Sequence, residues 1–105
     1  MDVLQESRQR VGDGIELYVD SGIRRGSDIV KALALGADAC SVGRPYLYGL
    51  AAAGSEGVSR VIEILGDELR RTMTLVGVSS VGELKKRGSE IVRELGTCQR
   101  CLTAL

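Results

Sequence analysis

The stretch that decides the fold is Tyr18-Val19-Asp20-Ser21-Gly22-Ile23-Arg24-Arg25-Gly26-Ser27-Asp28, continued by Lys31-Ala32-Leu33-Ala34-Leu35-Gly36-Ala37 and by Val42-Gly43-Arg44-Pro45. Ile15, Leu17 and Val19, with Tyr18 among them, form a β-prone run that ends at Asp20. A loop with two glycines and two arginines follows. Ser27 is then expected to cap a helix, with Asp28 in its first turn at the positive end of the dipole. Ile29, Val30, Leu33 and Ala34 supply an apolar stripe, and Gly36 stands where a C-terminal cap belongs. Ala39 to Val42 gives a second short strand before Gly43-Arg44-Pro45. Strand, helix and strand in this order predict a parallel pair with a right-handed helical crossover.

Upstream, Val3 to Val11 predicts a short helix closed by Gly12, Asp13 and Gly14. Downstream, Pro45 opens a helical segment from Tyr46 to Gly54. Ser55 then caps a longer helix with an apolar face of Val58, Val61, Ile62, Leu65, Leu69, Met73 and Val76, and Gly77 ends it. Ser80 and Glu83 read as a capping box for a further helix running into Lys85-Lys86-Arg87, three cations that suit a helix end. Ser89 to Leu95 is expected to be helical, and Gly96 to Leu105 has weak periodicity. Asp67 and Glu68, beside Arg70 and Arg71, read as a solvated face. Tyr46 and Tyr48 read as packing residues, and Cys40 as a buried small hydrophobe.

Composition narrows the function. A chain of 105 residues makes one small domain, and 44% hydrophobic content is too high for a disordered one. Fourteen basic residues balance 14 acidic ones, and the three tyrosines are the only aromatics, so neither a nucleic-acid footprint nor a stacking platform is expected. No apolar run approaches the length of a membrane span, and no charged-then-apolar leader opens the chain. Histidine is absent, which removes Ser-His-Asp and Cys-His triads and His-based zinc sites. A self-sufficient hydrolase or metalloenzyme is therefore not expected. Cys98 and Cys101 have C-x-x-C spacing without a second pair, so no metal site is expected, and the odd thiol count reads as reduced and cytoplasmic.

Both strands end in a glycine and an arginine. Asp20, Ser21, Gly22, Ile23 and Arg24 follow the first, and Gly43 and Arg44 follow the second. Parallel strands bring their carboxyl ends to one side, which makes the two loops neighbours. Glycines let backbone N–H groups approach an anion, and arginine forks suit phosphate. Tight turns with solvated arginines would leave the same spacing.

The quoted strings closely resemble the carboxy-terminal part of FMN-dependent 2-hydroxy-acid dehydrogenases and oxidases, such as glycolate oxidase and flavin-type lactate dehydrogenase. The resemblance continues through Leu47-Tyr48-Gly49-Leu50-Ala51 to Thr72-Met73 and Gly77, over residues 1–84. It implies an α/β fold, namely the last two βα units and extra helices of a (β/α)8 TIM barrel, with residues 85–105 as a tail, partly helical or poorly ordered. It also implies FMN as cofactor, a small 2-hydroxy acid as substrate and a homo-oligomeric full enzyme. Asp20, Ser21, Gly22, Ile23, Arg24, Gly43 and Arg44 are the implied FMN-phosphate residues, with Ser21 replacing the glycine usual there. No catalytic residue is assigned in this chain, because the family's histidine lies upstream of the matching part. Type 2 isopentenyl-diphosphate isomerase and inosine monophosphate dehydrogenase share the Gly-Ile-Arg turn, and a non-catalytic remnant is the third reading.

Overall fold

The computed structural model describes residues 2–92. Helix α1 spans Asp2–Val11 and closes in a 3-10 turn at Gly12–Gly14. Strand β1 (Tyr18–Val19), helix α2 (Gly26–Ala34) and strand β2 (Ala39–Cys40) follow, and the strands pair in parallel with Tyr18 opposite Ala39 and Val19 opposite Cys40. The expected strand–helix–strand unit is thus present. Its strands are shorter than the apolar runs, since a two-stranded sheet offers each strand one neighbour. Backbone bonds from Asp38 N–H to the Leu17 carbonyl (2.7 Å) and from Ser41 N–H to the Val19 carbonyl (2.8 Å) extend the pairing at both ends.

Helix α3 covers Arg44–Val76 but breaks at Ala53 (φ −151°, ψ 25°) and Gly54 (φ 60°, ψ −139°), so it is two arms, 44–52 and 55–76. The arms fold back on each other where Gly49 and Gly57 touch backbone to backbone. A Cβ on Gly49 would stand 2.6 Å from the Gly57 carbonyl oxygen and 2.8 Å from Val61 Cγ2. Only a residue without a side chain permits that crossing. Gly77 (φ 75°) ends the second arm in a left-handed cap, as Gly36 (φ 107°) ends α2. Helices α4 (Val81–Lys86) and α5 (Gly88–Ile91) complete the described chain. Cys98 and Cys101 lie outside the described residues, as does the end of the helix expected over 89–95.

The core lies between helices. Val30, Leu33 and Ala34 of α2, Val78, and Leu84 of α4 are buried together, with Leu69, Met73, Val76 and Ile91 partly buried against them. Helix α2 is therefore covered on nearly all sides, Ala32 included. On the sheet, Val19 and Cys40 are half-buried, whereas Tyr18 and Ala39 face outward. Desolvation raises the Cys40 thiol pKa. Tyr46 is half exposed beside the second arm, but Tyr48 is 71% exposed, so packing does not describe it.

Three local expectations are corrected. Ser27 is not the cap of α2: the helix starts at Gly26, and the Asp28 carboxylate accepts the N–H groups of Arg24 (3.1 Å) and Arg25 (3.0 Å). A carboxylate reaching back to two orphan donors outcompetes a serine one residue further on. Glu68 is not on a solvated face. It accepts the Gly26 N–H (2.8 Å) and a guanidinium bond from Arg25 (3.1 Å), and these partners hold its pKa below the usual range. Asp67 and Arg70, by contrast, form an exposed pair one turn apart, as expected. In the Ser80–Glu83 box the hydroxyl caps Glu83 N–H (3.1 Å), while the carboxylate turns to the backbone and hydroxyl of Ser79 rather than to Ser80.

Lys85 does more than complement a dipole. Its Nζ lies 2.5 Å from Asp38, which also accepts the Leu17 N–H at 2.8 Å and an ion pair from Arg8. Arg8 in turn donates to the carbonyls of Gly36, Gly12 and Ile15, so one carboxylate joins α1, α4 and the entrances of both strands. Lys85 first, then the Leu17 N–H and Arg8, holds the Asp38 carboxyl well below the usual carboxylate range. A lowered folded-state pKa adds stability that is complete above the unfolded value and is lost as pH falls through the folded one. Urea midpoints measured between about pH 7 and pH 2 should therefore fall steadily below about pH 4. Asp38→Asn should be less stable at neutral pH and should show a shallower acid slope; an unchanged slope would place the acid sensitivity elsewhere.

Candidate functional site

Two loops meet at the carboxyl ends of the paired strands. After β1, Asp20 accepts the Ser21 N–H through its carboxylate (2.9 Å), and Ser21 (φ 80°) and Gly22 (φ 79°) both take left-handed conformations. This double turn swings the chain so that Ile23, 3% exposed, is buried as an anchor while Arg24 stays on the surface. After β2, Ser41 and Val42 lead to Gly43 (φ −102°, ψ −86°), which precedes the first turn of α3 with Arg44 and Pro45. Pro45 suits that turn because no carbonyl there awaits its missing N–H.

A pocket of about 330 Å³ lies between the loops, lined by Asp20, Ser21, Gly22, Ile23, Arg24, Ser41, Gly43, Arg44 and Pro45. All seven residues singled out in the sequence line it. Ser41 and Pro45 were not singled out. The strand period of two carried the signal for Ser41, which shares the outward face of β2 with Ala39.

The electrostatics favour an anion. Arg24 and Arg44 are exposed and make no ion pair among the described residues, whereas the adjacent Arg25 is engaged by Glu68. The N–H groups of Gly22, Ile23 and Gly43 likewise carry no hydrogen bond among the described residues. Arg24 N–H is spent on Asp28, so that residue offers its side chain alone. Two forked cations and unsatisfied backbone donors match the oxygens of a phosphate, with Asp20 the only acid lining the pocket. No aromatic side chain lines it, so it offers no stacking surface to a ring system.

Comparison with known proteins decides the family. The sequence model of the FMN-dependent dehydrogenases matches residues 1–91. The chain belongs to that family. FMN is the family's cofactor. The chain is similar to L-lactate dehydrogenase (cytochrome) of Saccharomyces cerevisiae, 46% identical over 85 residues, which are 81% of this chain and 14% of the yeast protein. It is 50% identical to 2-hydroxyacid oxidase 2 of Rattus norvegicus over 84 residues, 80% of this chain and 24% of the rat protein. The crystal structure of mandelate oxidase with benzoyl-formic acid superposes with a TM-score of 0.78 at 47% identity, covering 81% of this chain and 25% of that one. The chain thus spans a quarter or less of these relatives. Among the described residues, no helix is long and apolar enough to cross a membrane.

Ser21 bears a strain that glycine would not. A side chain in the left-handed region costs on the order of 1 kcal/mol, partly offset by the greater unfolded-state freedom of glycine. Ser21→Gly should raise stability by about 0.5–1 kcal/mol in urea denaturation. A loss of stability would show that the Ser21 side chain supports the loop.

Proposed function

We propose that this chain is the FMN-phosphate-binding, carboxy-terminal part of a 2-hydroxy-acid oxidoreductase built as a (β/α)8 barrel. Residues 1–84 would contribute the last two βα units and residues 85–105 the tail. The observation that carries the reading is the convergence of Arg24 and Arg44, both unpaired among the described residues, on one pocket at the carboxyl ends of two parallel strands. Barrel enzymes place phosphate groups there, beside a short extra helix, and a 44–52 arm that follows β2 directly supports that reading.

In this reading Arg44 and Arg24 bind phosphate oxygens through their guanidinium forks, and Gly22, Ile23 and Gly43 donate backbone N–H groups. Asp20 holds the turn through Ser21 N–H. The bound FMN supplies the hydride acceptor for oxidation of the hydroxy acid. The chain contains no histidine, so the proton acceptor for a small 2-hydroxy acid comes from outside these 105 residues. The names of the yeast and rat relatives support that substrate class. Homo-oligomeric assembly of the whole enzyme and a cytoplasmic location belong to the same proposal, the latter supported by the free thiol of Cys40.

A chimera tests the assignment. Replacing the 84 matched residues of the rat oxidase with those of this chain should preserve FMN binding. Arg44→Ala in that chimera should weaken it by about 2–5 kcal/mol, roughly thirtyfold or more, in a flavin titration. Equal affinities would make Arg44 a solvated loop residue. The 105-residue chain alone should oxidise neither lactate nor glycolate when supplied with FMN, and measurable turnover would overturn the division of labour.

A further inference from the structure

We propose that the Ser21 hydroxyl is a further anion ligand of this pocket, a side-chain donor to phosphate held in place against a conformational cost. The inference rests on the phosphate reading above and adds to it a group that glycine would lack.

Ser21 is the only non-glycine residue with a positive φ among the described residues. Its neighbour Gly22 adopts nearly the same conformation without a Cβ, and glycine at 21 would do so too. Strained residues persist where the surroundings over-determine them, and the surroundings here are a ligand-sized pocket. The Ser21 backbone N–H is already committed to Asp20. Its hydroxyl makes no hydrogen bond among the described residues, nor does that of Ser41 in the same pocket, but of the two only Ser21 holds its side chain at a positive φ. That free hydroxyl belongs to an exposed residue that lines the pocket together with Arg24 and Arg44. An O–H donor beside two guanidinium groups adds a short charge-assisted bond to an anion that the arginines attract.

Titration of the 105-residue chain with inorganic phosphate at fixed ionic strength, followed by backbone amide NMR shifts, separates the possibilities. Ser21→Ala and Ser21→Gly should each weaken phosphate binding roughly three- to tenfold, the effect of one lost hydrogen bond. Only Ser21→Gly should also raise the urea midpoint, because Ser21→Ala keeps the strained Cβ. Stability gained while affinity is lost is a combination that a merely structural serine does not produce. Wild-type affinity in Ser21→Ala, with Arg44→Ala clearly weakened, would overturn the hydroxyl's role and leave the phosphate site standing. Failure of the wild-type chain to bind phosphate saturably would remove the phosphate reading and this inference with it.

Discussion

The Glu68 carboxylate, bonded to the first N–H of α2, fixes the entrance of that helix and, through it, the site. Gly26 packs so closely on α3 that a Cβ there would collide with the backbone of Glu68 and Leu69. The carboxylate accepts Gly26 N–H and engages Arg25, which sets both the position and the direction of entry. The loop from Asp20 to Arg25 runs straight into this junction, so docking α2 on α3 also places Arg24 against the loop that precedes α3. Burial of α2 on nearly all sides then locks the arrangement. A carboxylate shared by a helix N-terminus and a cation is well suited to this, because each partner stabilises its charged form.

The two ends of the sheet are opposite in electrostatic design. Where the strands begin, Asp38 gathers Arg8, Lys85 and the Leu17 N–H, and Arg8 spends its remaining donors on three carbonyls. Charge there is consumed internally. Where the strands end, Arg24 and Arg44 and three backbone donors are left uncommitted among the described residues. Asp28 contributes to that openness: by taking the N–H groups of Arg24 and Arg25 it satisfies the start of α2 from within. The dipole of α2 is thereby answered, and the cationic side chains of the loop remain free for an external anion.

Local signals in the sequence reached further than long-range ones. The strand–helix–strand order, the caps at Gly36 and Gly77 and the break at Gly54 all follow from spacing of three, four or two residues and from glycine's tolerance of positive φ. The seven pocket residues as a set came from the family resemblance, while the two loops were legible as neighbours because each carries its glycine and arginine within a few positions of a strand end. Glu68 and Asp38 were not. Their partners lie 42 and 47 residues away at Gly26 and Lys85, and a carboxylate looks the same in sequence whether it meets water, a distant N–H or a distant ammonium. The start of α2 was missed by two residues for a related reason: Ser27 is a good cap locally, but Gly26 is drawn into the helix by its contact with α3. The resemblance marked Ser21 as standing where glycine is usual, but only backbone geometry shows that the serine keeps a glycine's conformation.

A pocket of this kind needs little of a fold. One parallel pair brings two loops together, one crossover helix orients the first loop, and the start of the next helix completes the second. The residues that line the pocket all lie within 20–45, with Glu68 fixing the entrance of the crossover helix from outside that stretch, so the pocket is formed although the chain spans a quarter or less of the yeast and rat relatives. The remainder of the surface tells the complementary story. Tyr18 and Ala39 leave one face of the sheet bare, and Leu47, Tyr48 and Leu50 stand exposed on the first arm of α3. An apolar groove of about 490 Å³ opens between Ile29, Val42, Tyr46 and the Val58–Leu69 face of the second arm. Apolar surface left open over a sheet face, a helix arm and a groove is surface that folding alone has not covered. The pocket at the strand ends is therefore a local property of these residues. The proposed hydride transfer would further need a proton acceptor and a ring pocket arranged around a reacting carbon, a longer-range arrangement than two loops at the ends of paired strands.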